Sequence, residues 1–165
     1  MMIATALLTG CCHVPQQPIG DTSTIELQVV RTFHAPITVN INGGFTFFGE
    51  PTDAAITAEV YSGKGGYDWG RVDRTETKKI TTARFQDLWL QATNLNFNMA
   101  LRGHDGMISD GSTWTLTIRK INGSSIVLCL RCPVDSEDPD VKRFVTVCDC
   151  ILQLVDIEIP KDEKY

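Results

Sequence analysis

The sequence predicts an α+β domain in which an antiparallel sheet of five or six strands carries two helices on one face. Apolar and polar residues alternate with a period of two in several segments before residue 62 and again between 113 and 130, as in strands that bury one side. Apolar residues recur at helical spacing in two other segments, 82–95 and 138–155. Hairpins with interspersed helices are typical of a sheet that is covered on one face.

Three strands are predicted in the first part of the chain. Four apolar residues of the first strand are expected on its buried face: Ile25, Leu27, Val29 and Phe33. The second strand has three such residues, Ile37, Val39 and Ile41. It should end at the turn residues Asn42-Gly43-Gly44, and the third strand should run from Ile56 to Tyr61. After the glycine-rich segment 62–66 we expect a less regular fourth strand from Tyr67 through Arg74.

Both helices have recognisable starts. The first begins at Thr82 with Thr81 or Thr82 as its cap, and its apolar stripe consists of Phe85, Leu88, Trp89, Ala92 and Leu95. The second has Asp138 as its cap and Pro139 as its first residue, and it should end before Pro160. Its stripe is longer and consists of Val141, Phe144, Val145, Cys148, Ile151, Leu152 and Val155.

The register of the hairpin between 113 and 130 can be derived from its side chains. With a two-residue Asn122-Gly123 turn, the residues Trp114, Leu116 and Ile118 would lie opposite Arg131, Cys129 and Val127. With a three-residue loop, a left-handed Gly123 and a bulge, they would lie opposite Leu130, Leu128 and Ile126. We expect the second register, because it pairs apolar residues with apolar residues and leaves the threonines on the other face.

Composition and charge narrow the class of partner. The 165 residues are 42% hydrophobic and 21% charged, with a net charge of -5, which is the composition of an ordinary globular chain. Nucleic-acid binding needs clustered lysine and arginine, and docking on anionic lipid needs a basic patch. The acidic balance therefore argues against both, and we expect no nucleic-acid partner.

A short apolar run at the amino terminus ends in Leu8-Thr9-Gly10-Cys11. The run is much shorter than the roughly 20 residues that span a bilayer. The four residues resemble the bacterial lipobox, which implies that a signal peptide, 1–10, is removed and that Cys11 carries lipid. The alternative interpretation is a buried first strand or helix with two ordinary cysteines.

The residues after Cys11 suggest a tether followed by one domain. Proline and glutamine between 15 and 18 favour extended chain, so we expect a lipidated tether over 11–23, a single domain over 24–160 and a polar tail over 161–165. The resemblance implies attachment to the membrane through the N-terminal lipid. Because Cys12 stands where an aspartate would favour inner-membrane retention, it further implies the outer membrane, facing the periplasm.

Four cysteines of the second half invite a metal or redox interpretation: Cys129, Cys132, Cys148 and Cys150. On a helix Cys148 and Cys150 point about 200° apart, and Cys129 and Cys132 should lie on opposite faces of an extended segment, so we expect no zinc site. A redox Cys-x-x-Cys needs a helix N-terminus at its first cysteine, whereas Cys129 is near the end of a strand. We expect Cys148 in the core. In an oxidising compartment a disulfide between Cys129 or Cys132 and a helix cysteine is the pairing to test.

Catalytic motifs are missing from the sequence. Residues 62–66 have Gly65 where a phosphate loop requires serine or threonine. Neither Gly-x-Ser-x-Gly nor His-Glu-x-x-His occurs. A small periplasmic enzyme stays a rival interpretation, with His104, Asp105 and Asp110 as its candidate residues. We assign no catalytic residue, metal or cofactor.

The stretch Gly106–Pro133 contains Asp110-Gly111-Ser112-x-Trp114, a hairpin and Arg131-x-Pro133. It resembles a family of small uncharacterised bacterial proteins with an Asp-Gly-x-x-Trp hairpin, a resemblance that implies no activity and no site residues. The favoured function is a lipid-anchored, non-catalytic module that binds a protein or an envelope component through one sheet face or the glycine-rich loops. Immunity proteins, which neutralise the toxins of rival bacteria, are one subclass. The alternatives are the enzyme and a cysteine-based metal or redox module.

Overall fold

The computed structural model describes residues 23–45, 51–95, 111–157 and 159. Six strands are present in this part of the chain: β1 Ser23–Arg31, β2 His34–Phe45, β3 Pro51–Tyr61, β4 Val72–Ile80, β5 Ser112–Arg119 and β6 Ser125–Arg131. Two helices accompany them, α1 Thr82–Thr93 and α2 Pro139–Leu154. The strands form one antiparallel sheet in the order β4-β3-β2-β1-β5-β6. The predicted α+β class is confirmed.

The core lies between one face of this sheet and the two helices. Central strand β1 has its apolar residues aligned with apolar residues on both sides, as when Leu27 lies opposite Val39 of β2 and Leu116 of β5. All three side chains are completely buried. Because side chains alternate along a strand, the residues between them face away from the helices. We call these two sides the inward and the outward face.

The helix starts follow the predicted caps. The Thr81 hydroxyl accepts a hydrogen bond from the backbone N–H of Arg84 at 3.3 Å, and the Asp138 carboxylate accepts one from Asp140 at 2.8 Å. Each satisfies a donor that the first turn leaves without an intrahelical partner. Phe85 of α1 and residues of α2 then join the same buried cluster as the inward strand residues. Helix α2 ends at Leu154, before the predicted stop at Pro160.

The hairpin has the register predicted from its side chains. Trp114, Leu116 and Ile118 lie opposite Leu130, Leu128 and Ile126. Gly123 has a φ of 79°, and the N–H of Lys120 donates to the carbonyl of Ser124 at 2.8 Å. Gly123 is the residue whose positive φ lets a three-residue loop close, so sequence and backbone agree here.

The prediction that Phe33 shares the buried face of β1 is wrong. The strand ends at Arg31, whose side chain takes the last inward position. Phe33 lies in the turn with a φ of 65° and is 72% exposed. The period-two alternation holds only while the backbone is extended, and the positive φ of the turn breaks it.

The predicted bounds of three strands also change. Residues 67–70 belong to the β3–β4 loop and not to a fourth strand, which begins only at Val72. Strand β2 continues through Gly43 to Phe45, with a register shift between Asn42 and Gly44 that absorbs the glycines as a bulge. Strand β3 begins at Pro51 and is longer than the expected 56–61.

Candidate functional site

The outward face of the sheet is polar and rich in threonine. The strand register places eight threonines on it: Thr24, Thr38, Thr57, Thr75, Thr77, Thr113, Thr115 and Thr117. Threonine suits a partly solvated strand because its β-branched side chain packs well on a pleated surface. The hydroxyl oxygens of Thr57 and Thr77 lie 3.3 Å apart across β3 and β4. This face is therefore a broad hydrogen-bonding surface that the described helices leave uncovered.

Two carboxylates on this face are held by neighbouring side chains. Glu26 accepts hydrogen bonds from Gln28 at 2.6 Å and from Arg119 at 3.3 Å. Glu59 accepts one from the Tyr61 hydroxyl at 2.9 Å. Partial burial and this bond to Glu59 raise the pKa of Tyr61 above its ordinary value. Both carboxylates thus act as acceptors that order the surface.

The loop between β3 and β4 is a tightly hydrogen-bonded hairpin. Gly65 and Asp68 exchange backbone hydrogen bonds of 3.1 and 3.0 Å, which leaves Tyr67 at the tip with its side chain fully exposed. Trp69 lies edge-on against Tyr61, with the ring centroids 5.0 Å apart at 83°. This edge-to-face geometry is a favourable aromatic contact, and it joins the loop to the end of β3.

This loop packs against the turn between β1 and β2. A Cβ atom built on Gly65 would lie 1.6 Å from the carbonyl oxygen of Arg31 and 2.9 Å from that of His34. Only glycine fits, because its φ is 79° and the two backbones approach too closely for a side chain. The contact brings exposed Phe33 and Tyr67 to one end of the sheet. We call the β1–β2 turn together with loop 62–71 the aromatic end.

The four cysteines of the second half lie in different environments, and all four thiols are free. Cys129 is exposed on the outward face, whereas Cys148 is completely buried in the core, as predicted. Burial raises the pKa of the Cys148 thiol well above its ordinary value. Cys132 is buried at the end of β6 with a left-handed φ of 45°. Cys150 is partly buried against the core.

These positions bear on the metal and disulfide interpretations. Cys129 lies on the outward face, whereas helix α2, which carries Cys148 and Cys150, covers the inward face. The disulfide between Cys129 or Cys132 and a helix cysteine stays a prediction. Within the described ranges no group of three or more histidine, cysteine, aspartate or glutamate residues is arranged to hold a metal ion. The lipidation site Cys11 and the enzyme candidates His104, Asp105 and Asp110 lie outside the described residues.

A groove of about 330 Å³ lies between the two helices. It is lined by polar and apolar side chains: Gln91, Asn94, Leu95, Arg143, Thr146 and Val147. None of these six residues is a nucleophile paired with a general base, an arrangement that many hydrolases use. The groove therefore offers space and hydrogen-bonding groups but no described catalytic constellation.

No family model, curated protein or solved structure matches this chain. None of the helices in the described ranges has the length and hydropathy that a bilayer crossing needs.

The aromatic end was not singled out by residue in the sequence. The glycines at 63, 65 and 66 mark a loop, whereas Tyr67, Trp69 and Gly70 lie in the segment that the sequence predicts as a strand. The signal that could have found the site is an aromatic residue directly after a Gly-Gly pair, where a tight turn presents the side chain to solvent.

Proposed function

We propose that this chain is a bacterial envelope lipoprotein whose α+β domain is a non-catalytic binding module, with the aromatic end as its principal contact site. The observation that carries the proposal is the pair of exposed aromatic side chains, Phe33 at 72% and Tyr67 at full exposure. Both are on turns that backbone contacts hold in place. Aromatic residues are enriched among the contacts that dominate binding energy.

The rigidity of the aromatic end supports this assignment. A ring on an ordered turn loses little conformational freedom when it is covered, so more of the contact energy appears as affinity. The adjacent outward face offers threonine hydroxyls and two ordered carboxylates, which suit the polar rim of a protein interface. We infer a protein or envelope partner, and the net charge of -5 argues against nucleic acid.

Membrane attachment in this proposal comes from lipid on Cys11 and places the domain at the outer membrane, facing the periplasm. The tether between Cys11 and Ser23 can extend at most roughly 40 Å. Ser23 begins β1 at the end of that strand opposite to the aromatic end, about 30 Å away for nine residues. The tether thus joins the domain at the end of β1 that is farther from the proposed contact site. An immunity-type role, in which the partner is a toxin, is one form of this function.

Site-specific photocross-linking tests the contact site. A photoreactive residue replaces Tyr67 in the full chain, expressed in a Gram-negative envelope, and a matched one replaces Leu90, which is 59% exposed on α1. We expect a discrete adduct from position 67 that weakens when Phe33→Ser is added, and none of that mass from position 90. Equal adducts from both positions, or none from position 67, would contradict the proposal.

Mass spectrometry of the amino-terminal peptide tests the anchor separately. Chain recovered from the envelope should lack residues 1–10 and carry acyl groups on Cys11, and Cys11→Ser should release it from the membrane fraction. An unprocessed amino terminus would remove the lipoprotein proposal and leave the cross-linking result standing.

A further inference from the structure

The two outer strands of the sheet differ in how their edges are protected. Strand β4 carries charged residues on its inward side, among them Arg74 and Glu76, which form an ion pair at 3.2 Å. Inward-pointing charge on an edge strand is a known device against strand-to-strand association. Strand β6 has no proline and, before Arg131, no charge. Its inward residues, Ile126, Leu128 and Leu130, are all apolar, and Val127 on its outward side is 54% exposed. Strand β6 therefore lacks the inward-pointing charge that β4 carries.

The hydrogen-bonding groups of β6 can be assigned to its two sides. The backbone N–H of Cys132 donates to the carbonyl oxygen of Ser112 at 2.7 Å, and that of Lys120 donates to the carbonyl oxygen of Ser124 at 2.8 Å. These bonds lie at the two ends of the β5–β6 ladder, in which hydrogen-bonded pairs recur at every second residue. The even-numbered residues of β6 therefore direct their backbone N–H and C=O groups to β5. The odd-numbered residues direct theirs to the outer edge of the sheet. No described residue hydrogen-bonds to the backbone of Ser125, Val127 or Cys129.

We propose that β6 of one chain pairs antiparallel with β6 of a second copy, about a two-fold axis at Leu128. This extends the six-stranded sheet of each copy across the dimer. Antiparallel pairing through exposed edge strands satisfies a row of donors and acceptors on both chains at once. The occupant is a second copy because β6 is complementary to itself, as its register shows.

The register centred on Leu128 matches the side chains on both faces. On the inward face Ile126 of one copy lies opposite Leu130 of the other, and Leu128 lies opposite its own counterpart. On the outward face Val127 lies opposite Cys129. At the ends of the strand Arg131 lies opposite Ser125, so that no two like charges face one another.

Neighbouring registers lose this match. In any register, odd-numbered residues of the two copies must lie opposite one another, because they carry the backbone groups of the outer edge. The nearest alternative positions for the two-fold axis are therefore Val127 and Cys129. A centre at Val127 would place Leu130 opposite Ser124 in the turn. A centre at Cys129 would place Ile126 opposite Cys132, whose left-handed φ of 45° ends the strand. Only the Leu128 register pairs all seven residues of β6.

Disulfide trapping in envelope membranes tests this register with the full chain. Val127→Cys places a thiol opposite Cys129 of the second copy, so mild oxidation should give a dimer with a 127–129 linkage. Fragmentation of the linked peptides in the mass spectrometer identifies that linkage, because positions 127 and 129 lie in one tryptic peptide. Thr75→Cys, on the outward face of the opposite edge strand, is the matched control and should give no linkage to Cys129. A predominant 129–129 linkage, or no dimer from the Val127→Cys chain, would overturn the proposal.

Sedimentation of the full chain in density-matched detergent tests the association itself. The unsubstituted chain should sediment as two copies, and Val127→Lys should raise the dissociation constant by roughly tenfold or more. Each added lysine replaces an apolar residue opposite Cys129 of the other copy, and the two like charges are diagonal neighbours across the pairing edge. Thr75→Lys adds the same charge at the other edge and should leave the dimer intact. Circular dichroism confirms that each variant is folded. A monomeric unsubstituted chain, or equal effects of the two lysines, would overturn the proposal.

Discussion

The indole Nε1 of Trp114 donates a hydrogen bond of 3.1 Å to the hydroxyl of Ser112, and both side chains are fully buried. Ser112→Ala removes this acceptor and leaves the buried indole N–H without it. We expect the free energy of unfolding to fall by about 1–3 kcal/mol, measured by urea denaturation. Thr75→Val, which removes an exposed hydroxyl on the opposite edge strand β4, is the control and should change it by less than about 0.5 kcal/mol. Equal free energies of unfolding for Ser112→Ala and the unsubstituted chain would show that this hydrogen bond does not stabilise the fold.

Gly65 and Gly66 form a matched pair for the aromatic end. Both have positive φ, but alanine at 65 would meet the Arg31 carbonyl, whereas alanine at 66 would meet no atom within 4 Å. Gly66→Ala should reduce the free energy of unfolding by about 1–2 kcal/mol from backbone strain alone. Gly65→Ala should cost more, about 3 kcal/mol or above, because a clash is added. Thermal unfolding of the two variants measures the difference, and equal losses would mean that the two turns are not in contact.

The cysteines should differ in reactivity according to their burial. The exposed Cys129 should react with iodoacetamide in the native protein, whereas the Cys148 thiol should react only after unfolding. The reason is that burial blocks access of the reagent to Cys148 and raises the pKa of its thiol, which lowers the fraction present as thiolate. Peptide mapping after a short pulse of reagent measures both sites in one sample. Rapid native alkylation of Cys148 would contradict its place in the core.

Tyr61 should make stability depend on pH in the alkaline range. Its pKa is raised above 10.0 in the folded protein by burial and by the hydrogen bond to Glu59. The folded state therefore retains the Tyr61 proton to higher pH than the unfolded state does. The contribution of Tyr61 to the free energy of unfolding is complete below pH 10 and is lost as the pH rises through the folded pKa. Denaturation from pH 8 upward should show this decline in the unsubstituted chain. Tyr61→Phe should lack it, and parallel curves for the two proteins would contradict the assignment.

Alternation and capping predicted the parts of the fold that depend on local rules. The register of Trp114 against Leu130 followed from which side chains had to be buried together, and the helix starts at Thr81 and Asp138 followed from side chains that accept from the first turn. Phe33 was misplaced because a turn residue with positive φ leaves the strand periodicity. The start of β4 was misplaced because an edge strand with polar residues on both faces has no alternation to detect.

The candidate site was less predictable than the fold. The contact between Gly65 and the carbonyl of Arg31 joins two turns that are distant in sequence, and nothing in either turn specifies the other. The sequence predicts only that Cys129 and Cys132 lie on opposite faces of one extended segment. It does not predict which of the two is exposed and which is buried. Their environments depend on the side of the sheet that the helices cover, which is a tertiary property.

The central place of β1 has a consequence for the order of folding. Strands β1 to β4 follow one another in sequence and can assemble as a meander while the chain is still emerging. The other edge of β1 stays bare until β5 arrives, and it carries the apolar row that includes Leu27. During that interval the nascent chain exposes an unpaired strand edge with which another chain can pair. Products truncated before β5 should therefore aggregate. Docking of the β5–β6 hairpin covers this edge and ends that exposure.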